Sequence, residues 1–117
     1  MIINPRLAES VCYGAITMGL GTALFEERVM DAATGRMLNS DMEFYKLAGI
    51  KDIGDIVVHL DIREVNDKRG VIGLGEPPAI GICAAVGNAV ANAIGVRVPK
   101  IPMTPMHVLN ALEGRNA

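Results

Sequence analysis

Aromatic residues are scarce: there is no Trp, and two Phe and two Tyr make up 3% of the 117-residue chain. Stacking of bases on exposed rings finds little to work with here. Charge of one sign is lacking too. Eleven basic and thirteen acidic residues are interspersed to a net charge of −2, with no Lys/Arg stripe to neutralise phosphates. The two absences argue against nucleic-acid binding. Cysteine is limited to Cys12 and Cys83, far apart and inside apolar patterns. They read as reduced, buried thiols of an intracellular, cytoplasmic protein. No basic stretch leading into an apolar one opens the chain, so no signal peptide is expected. The longest apolar stretch, Pro77 to Ile94, is interrupted by Gly81, Gly87, Asn88 and Asn92. It reads as a buried helix and not as a membrane span.

What fills the chain instead is aliphatic. Half of the residues are hydrophobic, mean hydropathy is +0.33, and the apolar volume comes from Ala, Val, Ile, Leu and seven Met. The length suits one domain, residues 1–117, with a single modest core. A small soluble monomer needs polar residues over most of its surface, and this mixture is greasy for that task. Either apolar faces pack against further copies of the chain, or they are meant for another chain.

Asn4-Pro5 opens a first helix, Asn as cap and Pro in the first turn. Leu7, Val11, Met18 and Phe25 recur at helical spacing, and the helix is expected to end near Glu26 and Glu27. Gly14, Gly19 and Gly21 inside it each cost roughly 0.5–1 kcal/mol relative to Ala. Another backbone, or a ligand, must therefore approach closely. Residues 28–38, around Asp31-Ala-Ala-Thr-Gly35, carry a hairpin signature with Gly35 suited to a positive φ. Ile56 to Ile62 alternates as a strand, with Val57, His59 and Asp61 on the second side. Glu64 to Gly70 reads as a charged loop. A second long helix runs from about Pro78 to Ile94, with Ile82, Val86, Val90 and Ile94 near its buried face and Gly95 as its stop. Thr104-Pro105 starts a short last helix. The expected fold is α+β: two long helices and a short C-terminal helix packed on a small antiparallel sheet.

Chemistry concentrates at Gly73-Leu74-Gly75-Glu76-Pro77-Pro78. Gly73 and Gly75 let the main chain approach a ligand with no Cβ in the way. Burial of Glu76 among apolar neighbours would make its carboxyl a better proton acceptor, whereas a helix N-terminus favours the anion. Free amide groups at that helix start could also hold an anionic cofactor. The plain alternative is an acid that merely stabilises the helix start. His59 and His107 have no partner at metal-ligand spacing and read as surface or hydrogen-bonded histidines. No metal-ligand set and no nucleophile elbow is present in the pattern.

Four segments, in order, resemble the xanthine dehydrogenase/aldehyde oxidase family of molybdenum hydroxylases. They are Asn4-Pro5-Arg6-Leu7-Ala8-Glu9-Ser10, Met18-Gly19-Leu20-Gly21 with Leu24-Phe25-Glu26-Glu27, Gly73 through Pro78, and Asn88 through Arg97 followed by Pro102-Met103-Thr104-Pro105. The resemblance spans essentially the whole chain and implies the C-terminal part of the molybdopterin-binding large subunit. It implies Glu76 as the catalytic base beside molybdenum, taking a proton from a metal-bound hydroxyl, with Gly73 and Gly75 close to the cofactor. It further implies hydroxylation of an aldehyde or N-heteroaromatic, purine-like small molecule. The partners implied are the rest of the molybdopterin subunit and iron–sulfur and FAD subunits or domains. Where the family commonly has a pterin-contacting Gln, this chain has Val11. On this reading the molybdenum–molybdopterin cofactor belongs to the complete subunit. The isolated chain is expected to be inactive, without cofactor, and a homo-oligomer. The competing reading is a non-catalytic oligomerising domain that has lost cofactor binding.

Overall fold

The structure is a computed structural model that describes residues 1–63, 68, 70–71 and 73–115, and among these it forms four helices. The first, α1 (Pro5–Leu24), begins as the sequence predicts. Asn4 is extended, its side chain accepts the Leu7 N–H at 3.1 Å, and Pro5 needs no partner for a missing donor. The helix closes before Glu26 because the N–H groups of Phe25 and Glu26 both turn back to the Gly21 carbonyl, at 2.9 Å each. The expected second helix is divided into α2 (Pro77–Ile80) and α3 (Ile82–Ile94). Gly81 keeps right-handed dihedrals, but its N–H bonds the Ala79 carbonyl and interrupts the regular ladder. Gly95 ends α3 at φ 78°, where a side chain would be strained. In α4 (Pro105–Leu112), Thr104 caps by accepting the His107 N–H at 3.4 Å.

α1 is the centre of the fold. α2 and α3 pack along it, nearest where Gly19 meets Ile82. α4 is tied to its C-terminal end by the Met103 N–H, which bonds the Ala23 carbonyl at 2.7 Å. Burial follows these contacts: Cys12, Ala15, Gly19, Gly21 and Ala23 on α1, then Met103 and His107.

The small antiparallel sheet expected from the sequence is not there: the described residues contain no strand and no sheet. The hairpin survives only as its turn. Gly35 has φ 69°, the Asp31 N–H bonds the Arg36 carbonyl at 2.8 Å, and one isolated antiparallel bridge joins Met30 and Met37. Ile56 to Ile62 runs without a turn but pairs with nothing in a ladder. A strand is completed only by a neighbour that takes its backbone donors and acceptors, and the described chain brings none alongside. The fold is helical with long extended connections, not α+β. The charged loop expected at Glu64 to Gly70 falls largely outside the described residues, which omit 64–67 and 69.

The apolar surplus is left on the surface. α3 has no fully buried residue, and Ile50, Ile80 and Ile3 are 92%, 80% and 75% exposed. The radius of gyration is 17.8 Å, against about 13 Å for a compact domain of this length. Pro5–Leu24 and Pro77–Ile94 are long and apolar enough to cross a membrane by length and composition alone. α1 carries most of the buried positions among the described residues, whereas Pro77–Ile94 has none.

Candidate functional site

Gly73, Leu74 and Glu76 line two hollows beside α1. Gly73 and Leu74 share an apolar groove of about 420 Å³ with Ile2, Leu7, Ala8 and Val11. Glu76 stands at a cleft of about 370 Å³. Met18, Gly19 and Thr22 of α1 form one wall of this cleft, and Ala79, Ile80 and Cys83 form the other. Both hollows are open to solvent. Glycine at position 19 lets α2 and α3 lie close enough to make the second wall.

Glu76 is exposed and sits at the N-cap position of α2, yet its side chain makes no capping bond. The reason is local chemistry. Pro77 and Pro78 have no N–H to offer, and the N–H of Ala79 bonds the Glu76 main-chain carbonyl at 2.8 Å. The carboxylate has no hydrogen-bond or ion-pair partner among the described residues. The carboxylate makes no capping bond to this helix start, and Pro77 and Pro78 remove two of the amides that could hold an anion there. Nor is Glu76 buried within this chain.

Gly73 and Gly75 have ordinary negative φ, and a Cβ built on either would meet nothing within 4 Å. Neither backbone conformation nor packing against the described residues demands glycine there. A cofactor approaching this main chain would find it clear. The described residues contain no cluster of three or more His, Cys, Asp or Glu able to hold a metal ion. Among the described residues this stretch therefore offers a carboxylate without a partner and bare backbone.

The other singled-out residues separate from the site. His59 is exposed on the extended segment. His107 is buried, with Nδ1 at 2.7 Å from the Pro102 carbonyl, so that this nitrogen donates. It ties the first turn of α4 to Pro102, which follows a cis bond from Ile101. Cys12 is buried and free; Cys83 is free but only half-buried, its Sγ 3.7 Å from the Gly19 carbonyl. Sequence reasoning missed that Cys83 shares the cleft with Glu76. The signal was available: positions 76, 80 and 83 are spaced i, i+4, i+7, one face of a nearly continuous helix.

Residues 1–54 match the family model described as a molybdopterin cofactor-binding domain. Over 105 residues the chain is 40% identical to the xanthine dehydrogenase molybdenum-binding subunit of Escherichia coli O157:H7, covering 89% of this chain and 14% of that one. Against the aldehyde oxidoreductase molybdenum-binding subunit PaoC of Escherichia coli K12 it is 37% identical over 113 residues, or 95% of this chain and 15% of the relative. The crystal structure of quinoline 2-oxidoreductase from Pseudomonas putida 86 superposes with a TM-score of 0.82 at 28% identity, covering 98% of this chain and 15% of that one. In sequence and fold the chain is similar to one stretch of the molybdenum-binding subunits of xanthine dehydrogenases and aldehyde oxidoreductases, and its first 54 residues to a molybdopterin cofactor-binding domain. The chain spans about one seventh of their length, and Glu76 lies beyond the stretch that the family model matches.

Proposed function

We propose that the chain is the C-terminal segment of the molybdenum-binding large subunit of an oxidoreductase that hydroxylates an aldehyde or N-heteroaromatic, purine-like substrate. In this reading Glu76 is the general base. The molybdenum–molybdopterin group, when bound in the complete subunit, supplies the redox chemistry. The chain's own contribution is a proton acceptor and a backbone that can come close. One observation carries the role of Glu76: its carboxylate, without a partner among the described residues, lines a cleft that is apolar apart from Thr22 and Cys83. Once the remainder of the subunit closes over that cleft, loss of solvent would strengthen the carboxylate as a proton acceptor. The reading also takes iron–sulfur and FAD subunits or domains as partners that carry electrons away. It places the assembly in the cytoplasm, where the two free thiols suit a reducing environment.

The test is Glu76→Gln in the assembled enzyme. General-base catalysis contributes about 10²–10⁴-fold, so turnover should fall by that order while molybdenum content is unchanged. Undiminished turnover would remove Glu76 as the base.

A second reading has its own support in the exposed apolar faces and in Val11, which makes the groove beside Gly73 apolar. It is a non-catalytic domain that associates with copies of itself and binds no cofactor. Size-exclusion chromatography of the chain alone separates the two in part, because a well-behaved monomer counts against self-association. A cofactor-containing assembly purified with the chain counts against the rest.

A further inference from the structure

We infer that residues 53–60 form a β-strand when the chain is seated in the complete subunit, pairing edge to edge with a strand supplied by the part of that subunit outside these 117 residues. The inference rests on the reading that the chain is a segment of a molybdenum-binding subunit.

Three observations point to it. The chain runs from 53 to 63 without a turn or bend, and the main chain of residues 53–60 makes no hydrogen bond with any other described residue. Its donors and acceptors are therefore free along two edges, the condition in which a neighbouring strand is accepted. Second, the side chains alternate in burial as well as in type. Ile56, Val58 and Leu60 are half-buried, whereas Asp55, Val57 and His59 are exposed. A random connection has no reason to keep a period of two over five residues; a strand with one packed face does. Third, 98% of the chain superposes on only 15% of a chain in a crystal structure. The extended course is thus one that a chain takes with a large body of further residues around it. That observation selects the rest of the subunit over a second copy of this chain as the source of the paired strand.

The inference also accounts for the missing sheet. The period-two pattern at Ile56 to Ile62 identifies a strand, but half of the ladder is contributed from elsewhere.

Hydrogen–deuterium exchange with mass spectrometry tests this on the assembly purified with all accompanying chains, after its molybdenum content has been measured. Peptides covering residues 53–60 should exchange at least about 100-fold more slowly than an unstructured chain. If molybdenum is present and these amides exchange at the unstructured rate, the strand is overturned and the proposed function stands. If no molybdenum and no larger chain accompany the protein, the functional reading falls, and this inference with it. Slow exchange that disappears when the chain alone is diluted would assign the edge to a second copy and overturn the pairing proposed here.

Discussion

A Cβ placed on Gly19 would stand 2.5 Å from the Cβ of Ile82. The contact is between the first side-chain carbon of one helix and the backbone face of the other, so no rotamer change relieves it. Gly19→Ala should therefore cost about 1–3 kcal/mol, the range for overpacking, and lower the unfolding midpoint of the assembled subunit. Ile82→Ala should fail to rescue it, since the clashing Cβ remains. Ile82→Gly should rescue it partly, at a helix cost of about 1 kcal/mol. An unaltered melting curve for Gly19→Ala would show that α1 and α3 are further apart than described.

Gly14 is the contrast on the same helix, because a Cβ there meets nothing within 4 Å. Gly14→Ala should raise α1 stability by about 0.5–1 kcal/mol through helix propensity alone, read by circular dichroism of the isolated chain. A loss measured in the assembled subunit but not in the chain would reveal another surface packed on Gly14.

These two glycines show what the sequence could and could not disclose. Interrupting glycines signal close approach, but which of the three packs against a helix depends on a partner 63 residues further on, Ile82. Helix ends were legible because their chemistry is local: Asn4-Pro5, Thr104-Pro105 and Gly95 act within a turn of themselves. The break at Gly81 was not, since it needs only one redirected N–H. The sheet was misjudged because strand pairing is a property of two segments, and Ile56 to Ile62 met no second one. At the candidate site the sequence disclosed an acid, Glu76, beside bare backbone at Gly73 and Gly75, but not that the carboxylate stands without a partner among the described residues. The same reading overlooked that two prolines strip the α2 start of its donors.

The Tyr45 hydroxyl donates to Glu26 Oε2 at 3.0 Å, joining the turn at residues 41–45 to the end of α1. That hydrogen bond, with burial and the Glu26 charge behind it, holds the phenol above its ordinary value of 10.0. The folded value is raised, so the stability from this pair is complete below pH 10 and is lost as pH climbs through the folded value. In a Tyr13→Phe background, near-ultraviolet absorbance follows Tyr45 alone. Glu26→Gln should bring its midpoint down, and an unmoved midpoint would dismiss the contact.

The opposite sign holds at Asp31. The Thr34 hydroxyl and then the Ala33 N–H donate to its carboxylate and hold it below 3.8. A depressed carboxyl contributes order to the turn above the ordinary value and loses it as pH falls through the folded one. Thr34→Val should raise the Asp31 midpoint in a carbon-detected NMR titration. A titration curve identical to that of the parent would mean that the hydroxyl does not hold the carboxylate in solution.

The prolines after Glu76 give the sharpest test of the site, because they alter the freedom of the carboxylate without removing it. Pro78→Ala returns an N–H to the second position of α2, where an N-cap side chain finds its donor. Capping interactions are worth about 0.5–2 kcal/mol, enough to draw the Glu76 carboxylate back onto its own helix for most of the time. If Glu76 acts as a base by reaching into the cleft, kcat of the assembled enzyme should drop several-fold while molybdenum content and KM stay level. Adding Glu76→Gln to Pro78→Ala should then cost less than Glu76→Gln costs alone, since both act on one group. Fully additive losses would mean that proline 78 serves the fold and that the carboxylate was never free to move.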